Sequence, residues 1–348
     1  VVAINLLVEI TKQGLVVQYV TKNAAPRAVY ESMLTGQMKK TQISNLFTGS
    51  GSYIDIEENS LDALVVDEAH RLNEKSGMFR NLGENQIKEI IKASKFSVFF
   101  IDEDQKVTWN DIGEKEEIKK WADLIGVKVQ EMELSSQFRC SGSDGYLAWL
   151  DDALQIKETA NIFLSENNYD FRVIDSPTEL YNLILEKNKE RNKSRLVAGY
   201  CWDWISKQDK SKMDISFLND SLALQWNLAS DGNLWILSPS SVNEVGCIHT
   251  CQGLELDYIG VIIGLDFVVR DGVVITQPEK RAKTDASLKG YKTALKQNPA
   301  EAKKKADKII KNTYRTLMTR GMKGCYVYFV DKETEAYFKN RLKLNKSN

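Results

Sequence analysis

The chain has 348 residues, of which 43% are hydrophobic and 27% are charged, and its formal net charge is −1 from 47 basic and 48 acidic residues. This composition is typical of one large domain or two ordinary ones and excludes a disordered chain. The near-equal numbers of basic and acidic residues exclude a protein that is basic over its whole surface and coats nucleic acid, but they do not exclude a local basic groove. No apolar run approaches the roughly 18 residues of a membrane helix, which excludes a spanning protein. The five cysteines form no C-x-x-C pair, which favours a reducing compartment, and we expect a cytoplasmic protein.

The first part of the chain alternates apolar, β-rich runs with stretches of helix-forming residues. The predicted strands are residues 15–20, 61–66, 96–101 and 127–134, and the predicted helices are residues 1–10, 85–95 and 114–124. Strands that alternate with helices are typical of a parallel sheet covered by helices on both faces. The sequence therefore predicts an α/β fold with a parallel sheet.

A cluster of glycine and serine at residues 140–145 predicts a loop or hinge, and we place a domain boundary there. The same alternation returns beyond it. The predicted strands are residues 171–174, 194–200, 234–237, 258–263 and 324–330, and the predicted helices are residues 178–189 and 302–317. We therefore expect two α/β lobes, residues 1–140 and 141–348, rather than copies of one unit.

Residues 266–311 are a basic insertion in the second half. Within residues 279–311, eleven positions are Lys or Arg and four are Asp or Glu. Charge runs are usually solvent-facing, so a solvated helical insertion is the favoured interpretation. The alternative is an arm that contacts phosphate groups.

The apolar run 61–66 ends in two consecutive acids, Asp67 and Glu68. In open parallel sheets, ligands bind at the carboxyl ends of the strands, which makes both carboxylates candidates for a metal and nucleotide site. Asp67 would hold Mg²⁺, directly or through water, and Glu68 would orient or deprotonate an attacking water. A surface turn after the strand is the alternative interpretation.

Polar side chains also follow the other apolar runs. Asp102 and Gln105 come after the third run, and their spacing lets a carboxylate and an amide reach one phosphate or its water. Arg139 follows the fourth run, and Arg320 follows a predicted helix. A guanidinium suits a phosphoryl group because it is planar, always charged and able to bind two oxygens. A turn before residues 258–263 adds three candidates: Gln252, Gly253 and Glu255.

Taken in order, these segments resemble the motifs of the superfamily 1 helicase motor, which consists of two RecA-like lobes with ATP in the cleft between them. The run Val65-Val-Asp-Glu-Ala-His70 resembles its Walker B motif. Asp102 to Gln105 resemble G-D-x-x-Q, with Ile101 in place of the glycine. Single motifs of this kind are weak signals, whereas six in the right order are a strong one.

The remaining motifs lie on both sides of these. Residues 137–139, Gln-Phe-Arg, resemble N-Y-R, and Thr319-Arg320 resembles the T-R of the last motif. Residues 247–255 resemble T-x-H-x-x-Q-G-x-E, with cysteine in the threonine position, and residues 19–27 resemble motif Ia. The amino-acid sequences of residues 252–264 and 312–324 resemble one bacterial subgroup more closely still, the Schlafen group 3-like DNA/RNA helicase domain. This resemblance extends from residue 1 to about residue 331.

The resemblance implies that the protein uses ATP and Mg²⁺ and tracks along a single strand of nucleic acid. The sequence does not distinguish DNA from RNA, and DNA is the favoured track. It implies that Asp67 holds the metal, Glu68 is the catalytic base and Gln105 senses the γ-phosphate. Arg139 and Arg320 would neutralise charge on the transferring phosphoryl group. The implied nucleotide-binding residues are Asp67, Glu68, Asp102, Gln105, Arg139, Gln252, Gly253, Glu255 (a candidate for the ribose) and Arg320. The implied nucleic-acid-binding residues are Thr21, Lys22, Asn23, His249 and Thr250.

One expected motif has no match in the sequence. No segment fits G-x-x-x-x-G-K-[ST], the loop whose backbone N–H groups and lysine hold the β- and γ-phosphates. In the family, that loop directly precedes the helix that residues 1–10 resemble, so we expect the chain to begin just after it. We expect this fragment alone to bind ATP weakly or not at all, and about 40 upstream residues to restore binding.

Several residues have a second interpretation. Cys247, His249 and Cys251 are zinc-ligand types, but C-x-H-x-C is not a standard ligand spacing, and small semi-buried residues are favoured. Trp202 and Trp204 are expected in the core, with a base-stacking platform as the alternative. Arg71 would either serve the nucleotide or pair with an acid, and residues 21–23 would either contact phosphate or form only a turn.

The first function hypothesis is an ATP-driven motor on nucleic acid. The second is a clamp on nucleic acid or a protein that uses ATP only as a switch, because the chain lacks large accessory insertions. The third is a motor in defence or repair that works with a nuclease on an upstream segment, although no nucleolytic D…E-x-K cluster stands out here. No membrane partner is expected.

Overall fold

The computed structural model describes residues 2–77, 81–134, 139–162, 164, 169–217, 220–227 and 232–343. The chain divides into two compact units, Val1–Glu133 and Leu134–Asn348. The sequence predicts the division at residue 140, which lies in a 3₁₀ turn, Arg139–Gly142, near the start of the second unit.

The first unit is a four-stranded sheet with helices on both faces. Its elements are α1 (Val2–Lys12), β1 (Val17–Val20), α2 (Ala24–Leu34), α3 (Lys40–Leu46), β2 (Phe47–Thr48), β3 (Leu61–Val66), α4 (Gln86–Ala93), β4 (Ser94–Phe99) and α5 (Lys115–Ile125). The strand order is β2-β1-β3-β4, and all neighbours are parallel. Strand β3, which leads to the two acids, therefore has a strand on each side.

Strand β3 shows how the sequence produces this layered structure. Its side chains alternate between the two faces, as a period of two residues requires. Leu64 and Val66 pack with Ile87 of α4, whereas Ala63 and Val65 pack on the opposite face with Leu7 of α1. Because both faces are covered, β3 is apolar throughout its last four residues, a pattern typical of parallel sheets.

The second unit contains a five-stranded sheet and two hairpins. Its elements are α6 (Asp144–Ala153), β5 (Asp170–Val173), α7 (Pro177–Asn188), β6 (Ser194–Ala198), β7 (Ile215–Phe217), β8 (Leu222–Leu224), β9 (Val245–Gly246), α8 (Ile248–Cys251), β10 (Leu256–Ile263), β11 (Phe267–Arg270), β12 (Val273–Thr276), α9 (Tyr291–Gln297), α10 (Pro299–Met318), β13 (Gly321–Phe329) and α11 (Lys332–Lys343). The sheet order is β5-β13-β10-β6-β9, again parallel, and the hairpins are β7–β8 and β11–β12. The predicted α/β class with parallel sheets is confirmed.

Two predicted strands are wrong. Residues 127–134, all of which the structure describes, form no strand, and their apolar side chains are exposed, with Met132 at 87%. Residues 234–237 form the end of a 3₁₀ turn and the turn after it. There the apolar run buries Trp235, whose indole N–H donates to Glu244 Oε2 at 2.9 Å, without joining the sheet. In both cases an apolar run predicts a strand that does not form, because composition does not reveal whether a neighbouring strand is available for pairing.

No helix in the described part of the chain is both long enough and apolar enough to cross a membrane.

Candidate nucleotide site

The two acids after β3 lie in a turn that is hydrogen-bonded to both neighbouring strands. The backbone N–H of Asp67 donates to the carbonyl of Val20 at 2.8 Å, at the end of β1. The N–H of Ala69 donates to the carbonyl of Phe100 at 2.9 Å, just after β4. The turn is therefore fixed at the carboxyl edge of the sheet, where parallel-sheet proteins bind ligands.

Glu68 has an unusual backbone conformation for a residue with a side chain. Its φ of 52° and ψ of 42° lie in the left-handed region, and its side chain is buried. Such a conformation costs about 1–3 kcal/mol and persists only where the surroundings hold it. Here the backbone hydrogen bonds of Asp67 and Ala69, on either side of Glu68, hold this conformation. The left-handed backbone ends the alternation of side chains that strand β3 shows.

Asp67 is bonded through both of its carboxylate oxygens. The hydroxyl of Tyr19, on β1, donates to Oδ2 at 2.6 Å, and the backbone N–H of Glu68 donates to Oδ1 at 2.9 Å. Burial and the adjacent Glu68 charge together raise the pKa of the Asp67 carboxyl above its usual value. Burial, followed by the Asp67 charge, likewise raises the pKa of Tyr19, so the phenol stays protonated and remains a donor.

Polar contacts of His70 join this turn to the segment after β4. The imidazole Nδ1 of His70 accepts from the backbone N–H of Asp102 at 3.4 Å, so Nε2 carries the ring proton. That nitrogen lies 3.1 Å from Glu68 Oε2. The side-chain amide of Gln105 donates to Asp102 Oδ2 at 2.6 Å. The structure thus brings together four of the residues predicted from sequence: Asp67, Glu68, Asp102 and Gln105.

A second network, absent from the sequence predictions, lies beside the first and is centred on Asp111. Its carboxylate accepts from Thr108 Oγ1 at 2.6 Å, and Arg71 Nε lies 3.0 Å from Oδ2. Burial alone would raise the pKa of Asp111, but the charges of Arg71 and Lys22 lower it to about 2. Of the two interpretations of Arg71, the structure shows the pairing with an acid.

The residues expected to contact nucleic acid in the first unit make contacts within that unit. Lys22 Nζ donates to Asn73 Oδ1 at 2.7 Å and to Asp111 Oδ1 at 3.4 Å, and its side chain is 24% exposed. Asn23 caps α2, accepting from the N–H of Ala25 at 3.3 Å. Thr21 is fully buried, and its hydroxyl has no hydrogen-bond partner among the described residues. These contacts fit the turn interpretation; a role toward nucleic acid stays a prediction.

The candidates of the second unit meet at the amino-terminal edge of its sheet. Strands β10 and β13 are parallel neighbours, and Leu256 pairs with Gly321. Glu255 and Arg320, the residues just before this pair, therefore precede adjacent strands, and the N–H of Leu256 donates to the carbonyl of Arg320 at 3.0 Å. Glu255 is exposed.

The turn before β10 depends on a glycine. Gly253 has a φ of 81°, which only glycine adopts without strain, and it follows the fully buried Gln252. The predicted turn across residues 252–255 is therefore present, and its sharpness has a local cause.

The guanidinium of Arg320 is buried within the second unit. Its Nε donates to the carbonyl of Thr316 at 3.1 Å, one turn earlier in α10. It lies close enough to Cys251 to oppose the effect of burial, which nevertheless raises the pKa of that thiol to about 12.

His249 and Thr250 lie on the short helix α8. The Thr250 hydroxyl accepts from the N–H of Cys247 at 3.0 Å and closes the first turn of the helix. The His249 ring is half-buried, 6.3 Å from the ring of Tyr200 between centroids. Cys247 and Cys251 are buried more completely than the semi-buried positions predicted from sequence, and Cys251 Sγ donates to the Cys247 carbonyl at 3.5 Å.

Two further predictions concern side chains elsewhere. Gln137, Phe138 and the side chain of Arg139 lie outside the residues that the structure describes. Trp202 and Trp204 do not continue β6, which ends at Ala198. Both are partly buried against the apolar core of the second unit, in agreement with the interpretation favoured from sequence.

Comparison with known proteins identifies the family. Residues 1–331 match the family described as "Schlafen group 3, DNA/RNA helicase domain". The chain belongs to this family. Two parallel-sheet units in one helicase domain agree with the two RecA-like lobes expected from the sequence.

A curated relative and two solved structures are also similar to this chain. The relative is the uncharacterized protein YPL245W of Saccharomyces cerevisiae, which is 26% identical over 295 residues; the match covers 78% of this chain and 63% of that protein. The solved structures are S. cerevisiae Dbp5 and a variant of it, each bound to RNA and ADP BeF3, with 10% and 11% identity and a TM-score of 0.31 for each. These matches cover 94% and 93% of this chain and 75% and 74% of the Dbp5 chains. A likeness at this level carries no argument about function.

Proposed function

We propose that this protein is an ATP-driven motor on single-stranded nucleic acid. The observation that supports this most is the set of polar contacts from Glu68 through His70 to Asp102, with Asp67 beside it at the carboxyl edge of a parallel sheet. Two adjacent carboxylates at such an edge are the groups that nucleoside triphosphate hydrolysis needs. Membership of a helicase-domain family supports the same activity.

The residues present fit a magnesium ion that arrives with the nucleotide. Burial and the neighbouring Glu68 charge disfavour the ionised form of Asp67, and a divalent cation would relieve this repulsion. Among the described residues, no three acidic, histidine or cysteine side chains form a metal site. Mg²⁺ is commonly held by one or two carboxylates together with substrate phosphates, so Asp67 would suffice as the protein ligand. When bound, the ion would neutralise phosphate charge.

Glu68 is the residue we assign as general base. Nε2 of His70 lies 3.1 Å from Oε2 of Glu68, and this close contact would help to position the carboxylate for an attacking water. Gln105, whose amide is held by Asp102, is the residue we assign to the γ-phosphate. His70 links these two functions, because it contacts Glu68 with one nitrogen and the Asp102 backbone with the other.

In the second unit, we propose that Arg320 neutralises charge on the transferring phosphoryl group, together with Arg139. Gln252 and Gly253 would contribute to nucleotide binding, and Glu255, which is exposed, would bind the ribose. Preference for DNA over RNA, membership of superfamily 1 and a role for His249 in holding the strand are parts of the same proposal. An ATP-operated clamp without unwinding activity would show turnover but no strand separation.

The Glu68→Gln variant of the full-length protein tests the assignment. Loss of the base should lower kcat for ATP by at least about a hundredfold, because general-base catalysis contributes factors of that order. Nucleotide affinity should be retained, because Asp67 is untouched. Steady-state turnover and binding of a fluorescent ATP analogue would measure the two effects.

Glu58→Gln is the matched control. It makes the same chemical change at an exposed residue of the same unit, whose partner is the surface residue Lys92. It should leave turnover at the wild-type level. Retained turnover in Glu68→Gln would exclude Glu68 as the base.

A further inference from the structure

The basic insertion forms an ordered arm on the second unit. We define the basic arm as residues 278–304, which comprise a short 3₁₀ turn, a loop, α9 and the start of α10. Seven of its lysines are exposed: Lys280, Lys283, Lys289, Lys292, Lys296, Lys303 and Lys304. Its exposed acids are Glu279 and Glu301. On a chain whose net charge is −1, the arm is a local concentration of positive charge.

These seven lysines are not neutralised by the protein. Within the part of the chain that the structure describes, none of them lies in an ion pair with a carboxylate. Lys292 and Lys296 are four residues apart on α9 and therefore lie on the same face of the helix. Like charges at this spacing destabilise a helix by about 0.2–0.5 kcal/mol. Folding therefore gains nothing from this pattern.

A buried charge cluster anchors the base of the arm to the core. The side chain of Arg281 is 2% exposed, and its Nε lies 2.7 Å from Asp285 Oδ2 and 3.8 Å from Asp266 Oδ2. The hydroxyl of Tyr314, on α10, donates to the other oxygen of Asp266. The arm is thus attached to the loop after β10 and to α10, and its lysines are held at a fixed place on the surface.

The arm is also tied to the segment after β6. The N–H of Ala282 donates to the carbonyl of Tyr200 at 2.8 Å, and the N–H of Trp204 donates to the Thr284 hydroxyl at 3.2 Å. These bonds and the buried cluster fix both sides of the loop that carries Lys283. A loop held in this way presents its charges without a large entropic cost on binding.

Helix α10 separates the arm from the candidate catalytic residue of this unit. Its inner face is buried through Ala302, Ala306, Ile309 and Ile310, so it is a rigid part of the core. Lys303 lies 15 residues before Met318, where α10 ends, or about 22 Å at the rise of an α-helix, and Arg320 follows the helix. A substitution at Lys303 is therefore remote from Arg320.

We propose that the basic arm is a second contact site for single-stranded nucleic acid, which it binds through backbone phosphates. This inference rests on the proposed function, and it adds a binding surface outside the residues named for that function. Lysine ammonium groups bind phosphate as point charges, with no preference among bases. The arm therefore contributes affinity and salt dependence but no sequence specificity.

A fourfold substitution tests the proposal: Lys289, Lys292, Lys296 and Lys303 each to Gln, in the full-length protein. Binding of fluorescein-labelled oligodeoxythymidine is measured by anisotropy between about 0.05 and 0.2 M salt. We expect affinity at about 0.1 M salt to fall by at least about tenfold, and the slope of log affinity against log salt to decrease by about 0.7 for each phosphate that the variant no longer binds. Unchanged circular dichroism and thermal unfolding would show that the variant is folded.

The control carries the same change in net charge at four surface lysines of the first unit that have acid partners: Lys12, Lys92, Lys95 and Lys120, each to Gln. It should bind the strand as the wild type does. Equal weakening of both variants, or wild-type binding by the arm variant, would overturn the proposal and leave the motor function standing. Failure of the wild-type protein to bind the strand at all would overturn both.

Discussion

Five surface lysines of the first unit differ from the exposed lysines of the basic arm in how their charge is compensated. Five lysines of the first unit lie in surface ion pairs: Lys12–Glu9, Lys92–Glu58, Lys95–Asp62, Lys119–Glu116 and Lys120–Glu117. The seven exposed lysines of the arm have no such partner among the described residues. Three of the five pairs, Lys12–Glu9, Lys119–Glu116 and Lys120–Glu117, lie within one helix and stabilise it, whereas the arm leaves positive charge for an external anion.

The first unit extends its paired arrangement into its interior. At the carboxyl edge of its sheet, Asp111 compensates Arg71, and His70 links Glu68 to Asp102. Buried charges must be paired because water is not available to solvate them. The candidate hydrolytic site is therefore surrounded by paired charges, whereas the candidate contact with the nucleic-acid strand carries positive charge without acidic partners among the described residues.

Asp111→Asn gives the largest stability effect expected from this comparison. The change leaves the buried Arg71 without its counter-charge, which should lower the free energy of unfolding by about 3 kcal/mol at pH 7. Because the folded-state pKa of Asp111 is about 2, below the ordinary value of about 3.9, its contribution is complete above that ordinary value and disappears as the pH falls toward 2. Urea unfolding from pH 7 downward would measure both.

The control for Asp111→Asn is Glu58→Gln, which breaks the exposed pair with Lys92. Water screens an exposed ion pair, so this loss should be much smaller. Equal losses in the two variants, or a loss in Asp111→Asn that persists unchanged at low pH, would contradict the distinction between buried and exposed compensation.

Charge substitutions on the surface helices α9 and α5 should have smaller effects on stability, and the two effects should have opposite signs. Lys292→Glu removes the repulsion with Lys296 and creates a Glu–Lys pair in the first turn of α9, so it should raise the free energy of unfolding by about 0.5 kcal/mol. Lys120→Glu on α5 replaces the partner of Glu117 with an acid beside Glu116 and Glu117. This change should lower the free energy of unfolding by a similar amount. Thermal unfolding of both variants would measure these two changes in stability.

Lys292→Glu should also weaken binding of a labelled single strand, because it reverses a charge in the arm. A variant that is more stable but binds less tightly would show that the lysine serves a ligand rather than the fold. If Lys292→Glu destabilised the protein, the arm lysines would have a structural role, and the comparison with α5 would fail.

Local patterns were sufficient to predict the strands that lead to the candidate site. Strand β3 occupies Leu61–Val66, as predicted, because a short apolar run bounded by polar residues has one favourable place in a parallel sheet. The acids after it follow directly in sequence. The run at residues 127–134 has a similar composition but forms no strand, since pairing depends on neighbours that a local pattern does not specify.

Contacts between distant residues were not predictable in the same way. Tyr19 and Asp67 are bonded across 48 positions of sequence, and Arg71 and Asp111 across 40. A buried phenol needs a partner, so the position of Tyr19 within β1 gave a weak signal. Nothing near Asp111 in the sequence indicated Arg71, and nothing near Arg281 indicated Asp266.

The most direct test of the motor function is steady-state ATP turnover by the full-length protein, with and without single-stranded DNA. We predict Mg²⁺-dependent turnover that the strand strongly stimulates, because strand binding and hydrolysis are coupled in a motor. Turnover that the strand leaves unchanged, or no turnover in a protein shown to bind nucleotide, would contradict the account.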